Sequence, residues 1–310
     1  MWTRWLGPTF KVERFGPTEW ESFIRLRSSG ELDAQGREVT NPDDREPAGP
    51  RTVARDLKVL RAACRRATIE RTGASTFLLA ADPTRGLAVP VEKNPARPVY
   101  SAERCDKLMA VAAQVPMLVG FGKHRKPGQS TRQEPSYLPT ILRLASDTGR
   151  RVSSILALQW PDWKPDLGKH GKLRWRAEED KVGREWWSPV TPEVRTELET
   201  LRRERMAIGL AAVLLFPSVN DATKPVTYRT ATDWLRAAEK LADLEPLPHG
   251  AWHPFRRRWT SERKHLPLVD VAAAGGWVET TTLQRCYVSA DEETLETVVL
   301  TPRRLGRKLG

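Results

Sequence analysis

Cysteine is scarce in this 310-residue chain, and Cys64, Cys105 and Cys286 stand alone with no CxxC pair among them. That excludes a disulfide framework and a cysteine-built zinc site, and it fits buried, inert thiols in a reducing compartment. No window approaches the roughly 20 apolar residues of a membrane-spanning helix. The start, Met1-Trp2-Thr3-Arg4-Trp5-Leu6, lacks the basic segment and apolar run of a secretory signal. Internal repeats and low-complexity tracts are also missing. A soluble, cytoplasmic protein is therefore expected. What the chain has in excess is positive charge: 51 Lys+Arg against 39 Asp+Glu, a net charge of +12. Such a balance favours a polyanionic partner over a neutral metabolite. A hydrophobic fraction of 39% with 12 Trp supplies enough apolar surface for two cores.

The pattern predicts a mainly α fold with a small antiparallel β-sheet. Helices are expected over Thr18 to Ser28, with Thr18 as cap, and over Thr52 to Thr72, where Val53, Leu57, Leu60, Ala63, Cys64 and Ala67 fall at helical spacing. The same helix carries Arg51, Arg55, Lys58, Arg61 and Arg65, a basic face suited to a DNA backbone. Pro83 to Pro98 is Pro-rich and marks a domain boundary, placing domains at 1–95 and 96–310. Ser101 caps a new helix, and Gly120 to Pro139 reads as a basic loop. A helix from Tyr137 to Ser146 leads into Thr148-Gly149-Arg150-Arg151. Lys172 to Arg176 and Glu185 to Val190 alternate like two strands, with Asp180-Lys181-Val182-Gly183 in the turn between them. Further helices are expected over Pro192 to Met206, Tyr228 to Ala242 and Phe255 to His265, with a last pair bracketing Tyr287.

The chemistry concentrates in Trp252-His253-Pro254-Phe255-Arg256-Arg257-Arg258 and, about thirty residues later, in Leu283-Gln284-Arg285-Cys286-Tyr287. A His and an Arg three apart share one helical face, so both can address one anionic group. Displacing an alcohol from a phosphodiester spreads charge over the non-bridging oxygens, which permanently charged, bidentate arginines stabilise well. A tyrosine beside such cations can lose its proton and attack phosphorus.

In their order along the chain these motifs resemble those of the tyrosine recombinases, the phage-integrase family of site-specific DNA recombinases. The resemblance covers about residues 50 to 300. Thr148-Gly149-Arg150-Arg151 resembles the family's Thr-Gly-x-Arg helix start, with Arg151 as the arginine. Lys181 resembles the hairpin lysine and would protonate the leaving 5′ oxygen, with Lys172 and Lys169 as nearby rivals. His253 and Arg256 resemble the His-x-x-Arg pair, His253 moving the proton, with His249 as a weaker competitor. Trp277 after Gly275-Gly276 takes the His/Trp position, and Tyr287 that of the nucleophile. The resemblance implies a helical core-binding domain over 1–95, its first helix short or missing before Trp5-Leu6, and a catalytic domain over 96–310.

The expected activity is cleavage and rejoining of DNA strands through a 3′-phosphotyrosine, for integration or excision of a mobile element, without metal, ATP or other cofactor. Arg257 and Arg258 join Arg51, Arg55, Lys58, Arg61 and Arg65 as expected DNA contacts. Expected partners are double-stranded DNA, further copies of the chain in a homotetramer on two DNA sites, and accessory DNA-bending or directionality factors; a nucleoid location follows. The tail Asp291 to Leu300, with Leu295, Val298, Val299 and Leu300 on one face, would dock on a neighbouring subunit or pack on its own domain. Two features depart from the family pattern. Ser154 stands three after Arg151 where many members have an acidic residue, and the interval from Trp277 to Tyr287 is one residue longer than usual. Alternative readings are a catalytically inactive DNA-binding relative and a type IB topoisomerase-like enzyme.

Overall fold

The computed structural model describes residues 1–72, 76–91, 98–119, 132–180, 183–207, 212–248, 250–287, 296 and 298–300. It divides into two compact units, Met1–Pro95 and Ala96–Gly310. In the first, α1 (Trp2–Leu6), α2 (Pro17–Ser29) and α3 (Pro50–Ala67) enclose a core of Phe15, Trp20, Phe23, Val53, Leu57, Leu60 and Cys64. Helix α1 spans five residues, and its Trp2 stacks on Phe23 with ring centroids 4.1 Å apart. Helix α2 starts at Pro17 and is capped by Gly16, whose N–H donates to the Glu19 carboxylate at 2.8 Å, so Thr18 is not its cap. Proline at the first helical position costs no hydrogen bond, which explains the earlier start. The same holds for α3 at Pro50. That helix ends at Ala67 instead of Thr72, and the chain turns into a short hairpin of β1 (Arg71–Thr72) and β2 (Thr76–Phe77).

The second unit opens with α4 (Ala102–Val111), whose cap Ser101 accepts from the Arg104 N–H at 3.1 Å. The stretch expected as a basic loop, Gly120 to Pro139, contains a strand, β4 (Arg132–Pro135), which pairs antiparallel with β3 (Pro116–Val119) just before it. Strands bounded by proline and without apolar alternation carry no periodic signal. Helices α5 (Leu138–Thr148) and α6 (Val152–Leu156) follow. Next comes a three-stranded antiparallel sheet of β5 (Trp163–Lys164), β6 (Lys172–Trp175) and β7 (Trp186–Pro189), which pairs Leu173 with Ser188 and Trp175 with Trp186. Helices α7 (Pro192–Ala207), α8 (Tyr228–Leu241), α9 (His253–Glu262), α10 (Leu268–Gly275) and α11 (Thr280–Cys286) complete it. Residues 298–300 are helical and exposed. Cys64 and Cys105 are buried free thiols, and the side chain of Cys286 lies outside the described residues. Among the described residues, no helix is long and apolar enough to cross a membrane.

The main core lies between α5, α7, α8 and α9, with Leu138, Ile141, Leu142, Leu198, Leu235 and Phe255 at its centre. Polar side chains are buried beside it as well. Glu239 on α8 is 1% exposed; it accepts from Arg104 at 2.7 Å, from Arg236 at 2.5 Å and from the Tyr100 hydroxyl at 3.3 Å. This ties the first helix of the unit to α8. Truncating one partner of a buried pair strands the other's charge. Glu239→Ala is therefore expected to lower unfolding free energy by about 3 kcal/mol, read as a fall in the urea midpoint. An unchanged midpoint would contradict it.

Candidate active site

A small apolar cluster of Trp259, Val271, Ala272, Trp277 and Leu283 forms the floor of the site, and Tyr287 packs against it. Three chain segments meet there. Helix α5 ends at Gly149 in the left-handed conformation (φ 62°), where any Cβ would overlap the Trp259 ring. Glycine alone meets both demands. The chain re-enters a helix at once, with Arg151 as the N-cap of α6. Helix α9 begins at His253, so His253 and Arg256 stand one turn apart. Helix α10 ends at Gly275, against which the Trp277 ring packs so closely that a side chain would collide with it.

Arg256 is the centre of the arrangement. It is 2% exposed, and its Nη1 donates to the carbonyls of Gly149 and Gly275, bridging the end of α5 to the end of α10. Its guanidinium carbon lies 3.3 Å from the centroid of Trp277 and 5.2 Å from that of Tyr287. Burial pushes its pKa down to about 9; Tyr287 opposes this by favouring the charged form, while Arg151 and Arg150 add to it. The group remains protonated at neutral pH. Nε and Nη2 find no acceptor among the described residues, nor does the buried Trp277 indole N–H. Tyr287 is near enough to favour the charge, but its hydroxyl makes no hydrogen bond of normal geometry to either nitrogen.

Tyr287 follows α11 directly, held by its N–H to the Leu283 carbonyl at 2.9 Å and by Ser261, which donates to its carbonyl at 3.3 Å. Its ring meets Trp277 edge-on at 4.8 Å and lies 6.4 Å from His253. His253 keeps an open face toward solvent. Partial burial, then the charges of Arg257, Arg256 and Arg151, hold its imidazole below the ordinary value. Arg151 pairs with Asp180 at 3.5 Å. The structure therefore brings His253, Arg256, Trp277 and Tyr287 together, with Arg151 close enough to act on His253 and Arg256 electrostatically. Lys181 and His249 lie outside the described residues; Lys172 is on β6.

Arg150 has no part in the sequence-based site, yet it is 5% exposed and built into it. It donates to Ala274 O at 2.9 Å and Ala273 O at 3.2 Å, and it faces the rings of Trp175 and Trp186 at 5.0 and 5.8 Å. Burial lowers its pKa to about 10, against the opposing charge of Asp180. It anchors the end of α10, and so the turn into Trp277, on the sheet. Two adjacent arginines in Thr-Gly-Arg-Arg look alike in sequence; only burial separates them.

The basic residues expected to contact DNA divide. Arg51, Arg55, Lys58 and Arg65 are exposed on α3, opposite Val53, Leu57 and Leu60. Arg61 is drawn inward, lying over the Trp20 ring at 5.2 Å and donating to the Leu87 carbonyl. Arg257 donates to Pro98 O at 2.9 Å, and Arg258 to Glu262 at 2.6 Å and Ser101 O at 3.3 Å, so both hold the chain leading into α4.

The sequence model of the phage integrase family matches residues 123–294, more than half of the chain. The chain belongs to the phage integrase family. Members of this family are tyrosine recombinases, enzymes that break and rejoin DNA strands. Among solved structures, a XerH site-specific recombinase bound to its palindromic difH substrate in a post-cleavage complex is similar at TM-score 0.68 and 13% identity, over 96% of this chain and 76% of that one. The Tn1549 transposon integrase with circular intermediate DNA is similar at TM-score 0.58 and 12% identity, over 93% and 85%. A lambda integrase dimer on a COC' core site is similar at TM-score 0.53 and 16% identity, over 92% and 75%. At such identities the likeness establishes a shared fold. No curated protein matches the chain.

The depressed His253 gives this phage integrase family member a pH signature. The ordinary histidine value is 6.5, and the folded value lies below it, so on acidification the unfolded chain takes up the proton first. The stability held by neutral His253 is full above pH 6.5 and is lost as pH falls from there toward the folded value. Between about pH 8 and about pH 5, the urea midpoint should fall further for the wild type than for His253→Gln. Parallel falls would exclude a depressed imidazole.

Proposed function

We propose that the chain is a site-specific tyrosine recombinase serving the integration or excision of a mobile element, with Tyr287 as nucleophile. The observation that carries this reading is a cluster of three buried donors, Arg256 Nε, Arg256 Nη2 and Trp277 Nε1, that meet no acceptor in normal hydrogen-bond geometry among the described residues and stand beside a tyrosine. Buried donors demand acceptors. An acceptor-only, charged and tetrahedral phosphate answers that demand.

The chemistry follows from the residues. Arg256 and Arg151 bind the non-bridging oxygens and stabilise the charge of the pentacovalent phosphoryl group. The Tyr287 oxygen bonds to phosphorus as its proton passes to His253, which is poised neutral. The bond from phosphorus to the 5′ oxygen breaks, and Lys181 supplies that oxygen's proton. The 3′-phosphotyrosine conserves a phosphodiester, so a 5′ hydroxyl of either strand can reverse the step and release Tyr287. Arg51, Arg55, Lys58 and Arg65 would follow the DNA backbone from the helical unit 1–95. The exposed Val298, Val299 and Leu300 suit docking on a neighbouring copy in a homotetramer on two DNA sites. The DNA in the XerH, Tn1549 and lambda structures supports duplex DNA as the partner.

The test uses a nicked duplex carrying the element's attachment site, without metal or ATP. The wild type is expected to form a covalent adduct and Tyr287→Phe none, at equal DNA binding. Binding by both with no adduct from either would leave an inactive DNA-binding relative.

A further inference from the structure

The Arg151 guanidinium is paired to a carboxylate from outside its own helix. Three residues on, Ser154 offers only a hydroxyl, which donates to the Glu179 carbonyl at 3.2 Å. The carboxylate at Arg151 comes from the hairpin: Asp180 Oδ1 lies 3.5 Å from Arg151 Nη1, with the Asp180 side chain 5% exposed and that of Arg151 26% exposed. Asp180 caps the helical turn Ala177–Glu179 through its N–H to the Ala177 carbonyl, and its own carbonyl accepts from Gly183 N–H at 2.9 Å. Lys181 is the next residue.

The local charge explains why an anion is needed. Arg151 disfavours the protonated forms of Arg150 and Arg256, and Arg150 that of Arg256, while Asp180 favours that of Arg150. Arg150 is fixed by two carbonyls and two indoles, and Arg256 by two carbonyls. Arg151 is the most exposed of the three and has a path to water. Without an opposing charge, repulsion at short range would turn it outward. Ser154 contacts the same Ala177–Glu179 segment, so a carboxylate at position 154 would stand close to where that of Asp180 now is.

We propose that Asp180 is the positioning residue of Arg151: a carboxylate delivered by the hairpin, in place of one on α6, that sets the guanidinium for phosphate and ties it to the segment carrying Lys181. This rests on the recombinase reading above. It is distinct from a competitor role, in which Asp180 would occupy the guanidinium until DNA displaced it. The two differ in sign, because loss of a competitor speeds cleavage and loss of a positioning group slows it.

Single-turnover adduct formation on the nicked duplex separates them. Asp180→Asn keeps the shape and removes the charge; adduct formation is expected to slow about tenfold or more, as misplacement of a reacting group does, with DNA affinity unchanged. Adding Ser154→Asp to that variant restores a carboxylate one turn from Arg151 and is expected to recover the rate to within about threefold. A purely structural loss would not respond to the relocated charge. On a substrate whose scissile 5′ oxygen is replaced by sulfur, the leaving group needs no proton, and the Asp180→Asn defect is expected to persist. A rate equal to or above wild type, a defect that the second substitution leaves uncorrected, or one that vanishes on the sulfur substrate and so lies with Lys181, overturns the proposal. If the wild type itself forms no adduct, the recombinase reading falls, and this inference with it.

Discussion

Arg256 carries its charge where almost no water reaches, and the elements around it are disposed to make that tolerable. Two carbonyls take one nitrogen, an indole lies under the guanidinium plane, and a tyrosine that can become an anion stands beside it. In the proposed role, the two nitrogens that meet no acceptor among the described residues would turn a burial penalty into binding capacity. Desolvation is unfavourable for the empty site, and a phosphate that accepts from both nitrogens returns what was lost. A fully satisfied arginine would be more stable but would offer a phosphate no free donor. The fold therefore holds a strained electrostatic arrangement in place through packing.

That packing is cooperative across elements distant in sequence. The carbonyls that receive Arg256 belong to Gly149 and Gly275, the residues at which α5 and α10 end. Trp259, on the same helix as Arg256, fills the space that a side chain at position 149 would need, and its N–H holds the Asp147 carbonyl at 2.9 Å. Arg150 binds the end of α10 from the other side and rests on the tryptophans of the sheet. A shift in any one of these contacts moves Trp277, and Tyr287 with it. Tyr287, the proposed nucleophile, is thus positioned by the same network that positions Arg256, a proposed phosphate ligand.

Much of this was legible in the sequence, for reasons that can be named. The His253–Arg256 pair reads directly because helical spacing dictates a shared face, and the helices with strong 3.6-residue periodicity lie close to where that periodicity puts them. Hairpins β1–β2 and β3–β4 were invisible, since two to four residues per strand carry no pattern. Proline moved the starts of α2 and α3 ahead of the expected positions. The roles of Arg150 and Asp180 depend on contacts made across the fold, to Ala273, Ala274 and Arg151, and no local pattern encodes such contacts. Basic residues on α3 and α9 looked equivalent in composition. Apolar neighbours and open carbonyls drew Arg61, Arg257 and Arg258 into structural contacts and left the others at the surface.

In the proposed reaction Tyr287 is the residue that takes the phosphate. Of the four tyrosines, Tyr100 and Tyr137 are buried in the main core, and Tyr228 is exposed at the start of α8. Nuclease digestion of the covalent complex followed by peptide mapping identifies the modified side chain and the linkage. The arrangement around Arg256 predicts a nucleotide remnant joined through its 3′ phosphate to Tyr287. A remnant on Tyr228 or any other residue, or one joined through a 5′ phosphate, would contradict it.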